Sequence, residues 1–144
     1  MAKQKRNYFL AKTDPDTYSI ADFEREGRTV WDGVKNPQAL QAIRAMRPGD
    51  RVFIYHSMGE AAVLGVADAV SDPYPDPKHP DDPKRTVIDL QFVRRLDPPV
   101  TLREIKALGL FDDWSLVRQS RLSTMAAPAA FAEWMRERFP KAKI

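Results

Sequence analysis

Cysteine is absent from the 144-residue sequence, and histidine occurs only twice, as His56 and His79. The chain therefore forms no disulfide, offers no thiolate to a metal ion and has no cysteine nucleophile. With two histidines, a zinc site would need carboxylates to complete its ligands, so we expect no metal and no other cofactor. The six glycines do not form a G-x-G-x-x-G or phosphate-loop motif, which argues against a nucleoside triphosphate as cofactor.

Long apolar runs are also missing. No stretch reaches the ~20 residues that a membrane-spanning helix needs. The start, Met1-Ala-Lys-Gln-Lys-Arg6, leads into a short strand-like segment and does not resemble a signal peptide. We therefore expect a cytoplasmic protein with access to the nucleoid, or a nuclear one if the source is eukaryotic. We also expect a monomer without a membrane partner.

The composition that is present is that of a folded domain, with 43% hydrophobic and 30% charged residues. A chain of this length encloses one hydrophobic core. Lysine and arginine number 23 against 20 acidic residues, for a formal charge of +3. This modest surplus permits nucleic-acid binding without requiring it.

The hydrophobic pattern predicts strands at 7–12, 28–31, 51–57, 61–70, 86–95 and 116–124, and helices at 19–27, 36–46, 101–108 and from 128 onward. Asn36-Pro37 is a typical helix start, because asparagine caps and proline fits the first turn. Both faces of 51–57 are apolar, so this strand should be covered on both sides. We expect Pro98-Pro99 to end the strand before it, and the proline-rich segment 71–83 to be an exposed loop.

Strands joined by tight turns, with short helices between some of them, predict an α+β fold: a mixed β-barrel decorated by helices. We expect the strands at 7–12, 51–57, 61–70, 86–95 and 116–124 to form one curved sheet with helix 36–46 beside it. A doubly wound parallel sheet fits less well, because the strands between 51 and 95 have no helix between them.

The search for catalytic groups is largely negative. His56 and Ser57 are neighbours on a strand, so their side chains point to opposite faces and cannot act as base and nucleophile. The acidic pairs 14/16, 81/82 and 112/113 lie in turn-like segments where aspartate binds its own backbone. One alternative remains a small metal-dependent hydrolase or nuclease that uses Asp14, Asp32 and His56. Another is a protein-interaction module that presents the loop 71–83.

Several aromatic and polar side chains could belong either to the core or to a binding site. Trp31 and Tyr55 could be core residues or walls of a base-stacking pocket. Gln119, Arg121 and Ser123 would share one face of the last predicted strand, which suits either a solvent edge or the floor of a recognition site.

In this order, several segments resemble the EVE domain, a member of the PUA-like superfamily. The most specific are Val30-Trp-Asp-Gly-Val34 and Phe53-Ile-Tyr-His-Ser57, and the likeness also includes Tyr8-Phe-Leu-Ala-Lys12, Pro48-Gly-Asp50 and Arg118-Gln-Ser-Arg-Leu-Ser123. The resemblance implies a pseudo-barrel related in fold to the YTH domain over residues 7–139, with short basic tails at 1–6 and 140–144. It also implies a non-enzymatic binding module that accepts a modified base of DNA or RNA in an aromatic-lined pocket.

Carried over position by position, the resemblance implies a pocket formed by Lys12, Thr13, Trp31, Asn36, Tyr55, His56, Ser57, Arg121 and Ser123, with Lys35 and Arg118 on phosphates. The sequence departs from the family pattern at Thr13, Asp14, Lys35, Pro37 and Arg85. These departures affect which base is bound more than they affect the fold.

Overall fold

The computed structural model describes residues 6–144, so residues 1–5 of the predicted N-terminal tail lie outside the described residues. In chain order the elements are β1 (Tyr8–Thr13), α1 (Ile20–Glu26), β2 (Arg28–Trp31), α2 (Pro37–Ala45), β3 (Arg51–His56), β4 (Ala62–Ala69), β5 (Tyr74–Pro75), β6 (Thr86–Thr101), α3 (Leu102–Leu108), α4 (Ser115–Arg118), β7 (Thr124–Ala126) and α5 (Ala129–Arg138).

One curled sheet organises the molecule. Its strands follow the order β2-β6-β4-β3-β1-β7, and the two-residue β5 pairs with β6 outside this path. β1 and β3 run parallel, in register from Tyr8 opposite Arg51 to Thr13 opposite His56, and the other pairs are antiparallel. Helix α2 lies against both β7 and β6, between the two ends of the sheet. The α+β fold predicted from the sequence, a mixed barrel-like sheet decorated by short helices, is confirmed, and its sheet is a curled half-barrel.

The core surrounds β3, where residues 51–55 are all buried. Phe53 is fully buried and meets Phe131 of α5 edge-to-face, with ring centroids 5.2 Å apart. The double-sided coverage expected for this strand is therefore present.

The early helices begin and end where the sequence predicts. Ser19 and Asp22 form a reciprocal capping box at α1, and Gly27 ends this helix with a φ of +78°, which glycine adopts without steric cost. Asn36 caps α2, its Oδ1 accepting hydrogen bonds from the N–H groups of Gln38 and Ala39 at 2.8 and 3.1 Å.

The predicted strand at 116–124 is wrong. Residues Ser115–Arg118 form the one-turn helix α4, and strand β7, which pairs with β1, is limited to Thr124–Ala126. The indole N–H of Trp114 donates to the carbonyl of Ala126 at 2.8 Å and joins this turn to β7. A short apolar run does not distinguish a strand from a buried helical turn, so tertiary packing decided. Consequently Gln119, Arg121 and Ser123 lie between α4 and β7 and share no strand face.

The expectation that Pro98-Pro99 ends a strand is also wrong, because β6 continues to Thr101. Its register against β4 changes from Val63 opposite Val100 to Gly65 opposite Arg95. The prolines lie in this irregular stretch, where the missing N–H groups are not needed by a regular ladder.

The C-terminal residues pack against the sheet. Ala142 and Ile144 are buried, and the Arg51 guanidinium donates to the carbonyl of Lys143 at 3.0 Å. The core thus includes side chains beyond residue 139, while the domain range 7–139 stays a prediction.

Candidate nucleic-acid interface

A cavity of about 440 Å³ opens where the two edges of the curled sheet approach each other. One side comes from the end of β1 and the loop after it, and the other from β2 and its following turn. The loop before β7 contributes one residue. The lining residues are Lys12, Thr13, Asp14, Thr17, Tyr18, Thr29, Val30, Trp31, Asp32, Gly33, Val34 and Ser123.

Trp31 forms the aromatic wall. It is the last residue of β2, lies opposite Ile88 of β6 and is only 7% exposed. Tyr18 meets it nearly edge-on at 6.3 Å between ring centroids, and Phe23 packs on it at 6.0 Å. Burial also raises the pKa of Tyr18, whose hydroxyl donates to Glu26 at 2.8 Å. Trp31 is therefore a core residue that also lines the cavity, while its role as a base-stacking wall stays a prediction.

Lys12 brings a cation to the rim. Its ammonium donates to the carbonyl of Ser120 at 3.1 Å and lies 5.4 Å from the centroid of the Tyr55 ring. Burial lowers the pKa of Lys12. The Lys12 side chain is half-buried and held between a carbonyl and an aromatic ring, so its ammonium is a positioned donor.

Backbone hydrogen bonds hold the polar lip beside Lys12. The Lys12 N–H donates to the carbonyl of Ser123 at 2.8 Å, and the Ser57 N–H donates to the carbonyl of Thr13 at 3.0 Å. The Thr13 hydroxyl donates to the carbonyl of Tyr18 at 2.7 Å. Strand β1 therefore fixes Ser123 and Tyr18 at one opening, although they are distant in the chain.

Two carboxylates on the lining give the cavity acceptors. Asp32 pairs with the ammonium of Lys78 at 3.0 Å, and this hydrogen bond raises the pKa of Lys78. Asp14 accepts the N–H of Asp16 at 2.9 Å. One ammonium and two carboxylates line the cavity, so its electrostatics suit a neutral ligand with amino donors better than a phosphate.

Of the nine pocket residues predicted from the sequence, Lys12, Thr13, Trp31 and Ser123 line this cavity. The other five lie elsewhere. Asn36 is occupied as the cap of α2. Tyr55 is buried beneath Lys12, and Ser57 lies behind Thr13. Arg121 is exposed on the loop before β7.

His56 is the fifth residue that does not line the cavity. Its Nε2 accepts the N–H of Ile20 at 3.0 Å, at the first turn of α1. This bond needs an unprotonated Nε2. Burial is the main cause that lowers the pKa of His56, and the nearby charge of Arg95 lowers it further. The structure therefore uses this histidine as a helix-capping acceptor.

The two predicted phosphate contacts have different surroundings. The exposed Lys35 lines a separate basic pocket beside α2. The Arg118 guanidinium donates to the carbonyl of Asp112 at 3.0 Å and pairs with Asp113 at 3.2 Å. Lys35 is therefore the better placed of the two for an external anion.

Sequence reasoning did not place the other eight lining residues in the pocket, and Tyr18, Asp14 and Thr29 are among them. The aspartate and proline pattern of the segment 14–19 indicates only a turn. No local signal shows that this turn and β2 face the same cavity, because they come together only when the sheet curls.

The residues of the hydrolase alternative do not converge. Asp14 and Asp32 line the cavity, whereas His56 binds the backbone of α1. Among residues 6–144 no group of three or more histidine, aspartate or glutamate side chains could hold a metal ion. In that same part of the chain, no helix has the length and apolarity needed to cross a membrane.

Fold and site together define a small curled-sheet domain with an aromatic-walled, polar-rimmed cavity at one end. The EVE domain family model matches residues 7–138, and the chain belongs to this family. The resemblance seen in the sequence is confirmed.

Curated relatives include thymocyte nuclear protein 1 of Rattus norvegicus, which is 32% identical over 72% of this chain and 57% of its own length. An uncharacterized protein of Schizosaccharomyces pombe is 30% identical over 83% of this chain and 63% of its own. The chain thus spans somewhat more than half the length of these relatives.

Solved structures share the whole fold. A Pseudomonas syringae protein superposes with a TM-score of 0.84 at 32% identity, covering 91% of this chain and 99% of its own. The human THYN1 protein, in complex with DNA containing 5-methylcytosine, superposes with a TM-score of 0.85 at 26% identity, covering 94% and 98%. A YTH domain of Zygosaccharomyces rouxii, in complex with N6-methyladenosine RNA, shares the fold with a TM-score of 0.55 at 16% identity, covering 96% and 90%.

Proposed function

We propose that this domain binds nucleic acid that carries a modified base and holds that base in the cavity beside Trp31. DNA that contains 5-methylcytosine is the first ligand to test. The observation that carries the proposal is an aromatic-walled cavity of about 440 Å³ in a member of the EVE family. The human THYN1 protein in complex with such DNA, which has nearly the same fold, supports it.

A base inside a duplex does not reach such a cavity, so the target nucleotide must be extruded or already single-stranded. Extrusion costs a few kcal/mol, and stacking on an aromatic side chain returns about 1–3 kcal/mol per base. Trp31 is packed by Tyr18 and Phe23, which hold the indole in place before the ligand arrives. This preorganisation reduces the entropy lost on binding.

The polar rim matches the edge of a cytosine. The carboxylates of Asp14 and Asp32 are acceptors for an exocyclic amino group, and Lys12 is a donor for a ring nitrogen or carbonyl. Val30 and Val34 give the lining apolar surface that a methyl group can contact. A phosphate would meet the two carboxylates, so the base rather than the backbone enters the cavity.

We further propose that binding occurs without chemistry. The candidate base His56 is engaged with α1, and no lining residue is a cysteine or histidine. Oligonucleotides should stay intact with magnesium, manganese or zinc, and chelator should leave affinity unchanged. Reproducible cleavage that Asp32→Ala abolishes would contradict this. The monomeric state and the cytoplasmic or nuclear location stay predictions.

The test is calorimetric titration with single-stranded and duplex oligonucleotides that contain 5-methylcytosine, 5-hydroxymethylcytosine, N6-methyladenine or no modification. We expect one modified series to bind more tightly than the unmodified one. Trp31→Phe should weaken the preferred ligand by about 1 kcal/mol, because a smaller ring stacks less well.

Trp134→Phe is the matched control, since Trp134 lies on α5 and stacks with Phe131 at 6.2 Å, away from the cavity lining. It should leave affinity unchanged. Equal affinity for every oligonucleotide, or equal effects of the two substitutions, would contradict the proposal.

A further inference from the structure

A second pocket, of about 450 Å³, lies beside α2 and is strongly basic. Four cationic side chains and one carboxylate line it, together with Pro37 and Leu40. The charged residues are Lys35, Arg44, Lys84, Arg85 and Asp82. This balance is the reverse of that in the Trp31 cavity, where carboxylates outnumber the ammonium.

Arg85 is the central donor. Its side chain is only 14% exposed, and its nearest acidic partner, Asp82, lies 3.6 Å from Nε. Asp82 is half exposed and its Oδ1 accepts the N–H of Lys84 at 3.0 Å. A guanidinium has five N–H donors, and a largely buried one normally has closer acceptors than this. Within residues 6–144, the pocket therefore contains donor capacity that no close acceptor uses.

Arg44 and the lysines add to this capacity. The Arg44 guanidinium donates to the carbonyl of Lys84 at 2.6 Å and to the hydroxyl of Thr86 at 3.2 Å, which ties α2 to the loop 82–85. Lys35 and Lys84 are exposed and form no ion pair within residues 6–144. The N–H groups at the start of α2 are already bound to Asn36, so the side chains and not the helix end supply the donors.

The two pockets are adjacent along the chain. Val34 lines the Trp31 cavity and Lys35 lines the basic pocket, and consecutive Cα atoms are only about 3.8 Å apart. Thr86, at the Arg44 side of the pocket, begins the strand whose Ile88 lies opposite Trp31. A nucleic-acid strand that places one base in the cavity therefore has its neighbouring phosphates within reach of the basic pocket.

We infer that the pocket formed by Lys35, Arg44, Lys84 and Arg85 binds a backbone phosphate of the strand whose modified base lies in the Trp31 cavity. This inference rests on the proposed function. It adds the path of the nucleic-acid strand, which runs from the cavity along α2. Arginine forms forked hydrogen bonds to phosphate oxygens, and releasing counterions from that phosphate makes binding salt-dependent.

The test combines protein and ligand changes. In the preferred oligonucleotide, each phosphate near the modified base is replaced in turn by a neutral methylphosphonate. We expect one position to weaken wild-type binding about tenfold. The same replacement should have little effect on Arg85→Gln or on the double variant Lys35→Gln, Lys84→Gln, because the lost contact is already missing.

Both variants should weaken modified and unmodified oligonucleotides equally and make the salt dependence shallower by about one unit per contact. The double variant changes only exposed side chains, so it keeps the test valid if Arg85→Gln disturbs the fold. Lys141→Gln is the control: Lys141 is exposed near the C-terminus, where its carbonyl accepts from Arg94, and its loss should change none of these values.

The outcomes separate this inference from the proposed function. One outcome would overturn the phosphate pocket alone. In it, the wild type still discriminates between bases, the variants bind as tightly as the wild type, and no methylphosphonate position affects the wild type more than the variants. If no oligonucleotide binds, titration with inorganic phosphate followed by the Arg85 Nε–Hε signal decides. A saturable shift of this signal would show that the pocket binds free phosphate, and would overturn a nucleic-acid strand as the source of the phosphate. If the signal does not shift, the pocket does not bind phosphate and the inference is wrong altogether.

Discussion

Two aromatic clusters of similar composition have opposite surroundings. The closed cluster, on α5 and the segment before α4, contains Phe111, Trp114 and Phe131, with ring centroids 4.6–6.3 Å apart. The cavity cluster contains Tyr18, Phe23 and Trp31 at similar separations of 6.0–6.3 Å. Tyr18 and Trp31 of the second cluster line the cavity described above.

The difference lies in the polar groups that surround the rings. The indole N–H of Trp114 is bound to the carbonyl of Ala126, so the closed cluster needs nothing from outside. Around Trp31 the neighbours include hydroxyl, ammonium and carboxylate groups that face the same space. Similar ring packing therefore belongs to the core in one region and lines a cavity in the other. The groups packed around the rings make this difference.

The largest expected effect is on the closed cluster. Phe131 is fully buried, and Phe131→Ala should lower the free energy of unfolding by about 3–5 kcal/mol, because the removed ring leaves a cavity. Urea denaturation measures this. Trp31→Phe should cost less than about 1.5 kcal/mol, as a smaller aromatic ring keeps much of the packing. Equal losses in the two variants would remove the distinction between the clusters.

A smaller effect is expected at Asn36, which the family resemblance placed in the pocket and the structure places at the start of α2. Asn36→Ala should lower the free energy of unfolding by about 1 kcal/mol, because two N–H groups lose their acceptor. Asn36→Asp retains that acceptor and is the matched control. Discrimination between modified and unmodified oligonucleotides should survive Asn36→Ala, and its loss would return this residue to the pocket.

The smallest effect concerns His56. Burial lowers the pKa of this histidine in the folded protein below its ordinary value of 6.5. Between these two pKa values the unfolded chain binds more protons, so stability is complete above about pH 6.5 and declines as pH falls toward the folded-state pKa. His56→Gln keeps a neutral acceptor for Ile20, so the wild-type protein should lose stability relative to this variant on acidification.

Urea denaturation of both proteins between pH 5 and pH 7.5 measures the difference. Parallel pH profiles would show that His56 does not titrate differently in the folded and unfolded states. If His56→Gln instead changes how oligonucleotide affinity depends on pH, His56 contacts the bound base.

Features that depend on neighbouring residues can be predicted from the sequence. The caps at Ser19 and Asn36, the buried strand β3 and the stops at glycine follow from local preference, because each needs only neighbouring residues. The last predicted strand failed for the opposite reason. Whether residues 116–124 extend or turn depends on Trp114 reaching Ala126 and on the room left beside β1.

The sequence by itself determined the class of the molecule: an α+β fold without thiol chemistry, with an apolar central strand and the motifs of the EVE family. Periodicity, capping and family motifs are short-range patterns, so they can be recognised from the sequence alone. Only the tertiary structure decided which polar residues face one another. Trp31 lies in β2 and Ser123 directly precedes β7, at the opposite end of the strand order, and they meet at one cavity because the sheet curls.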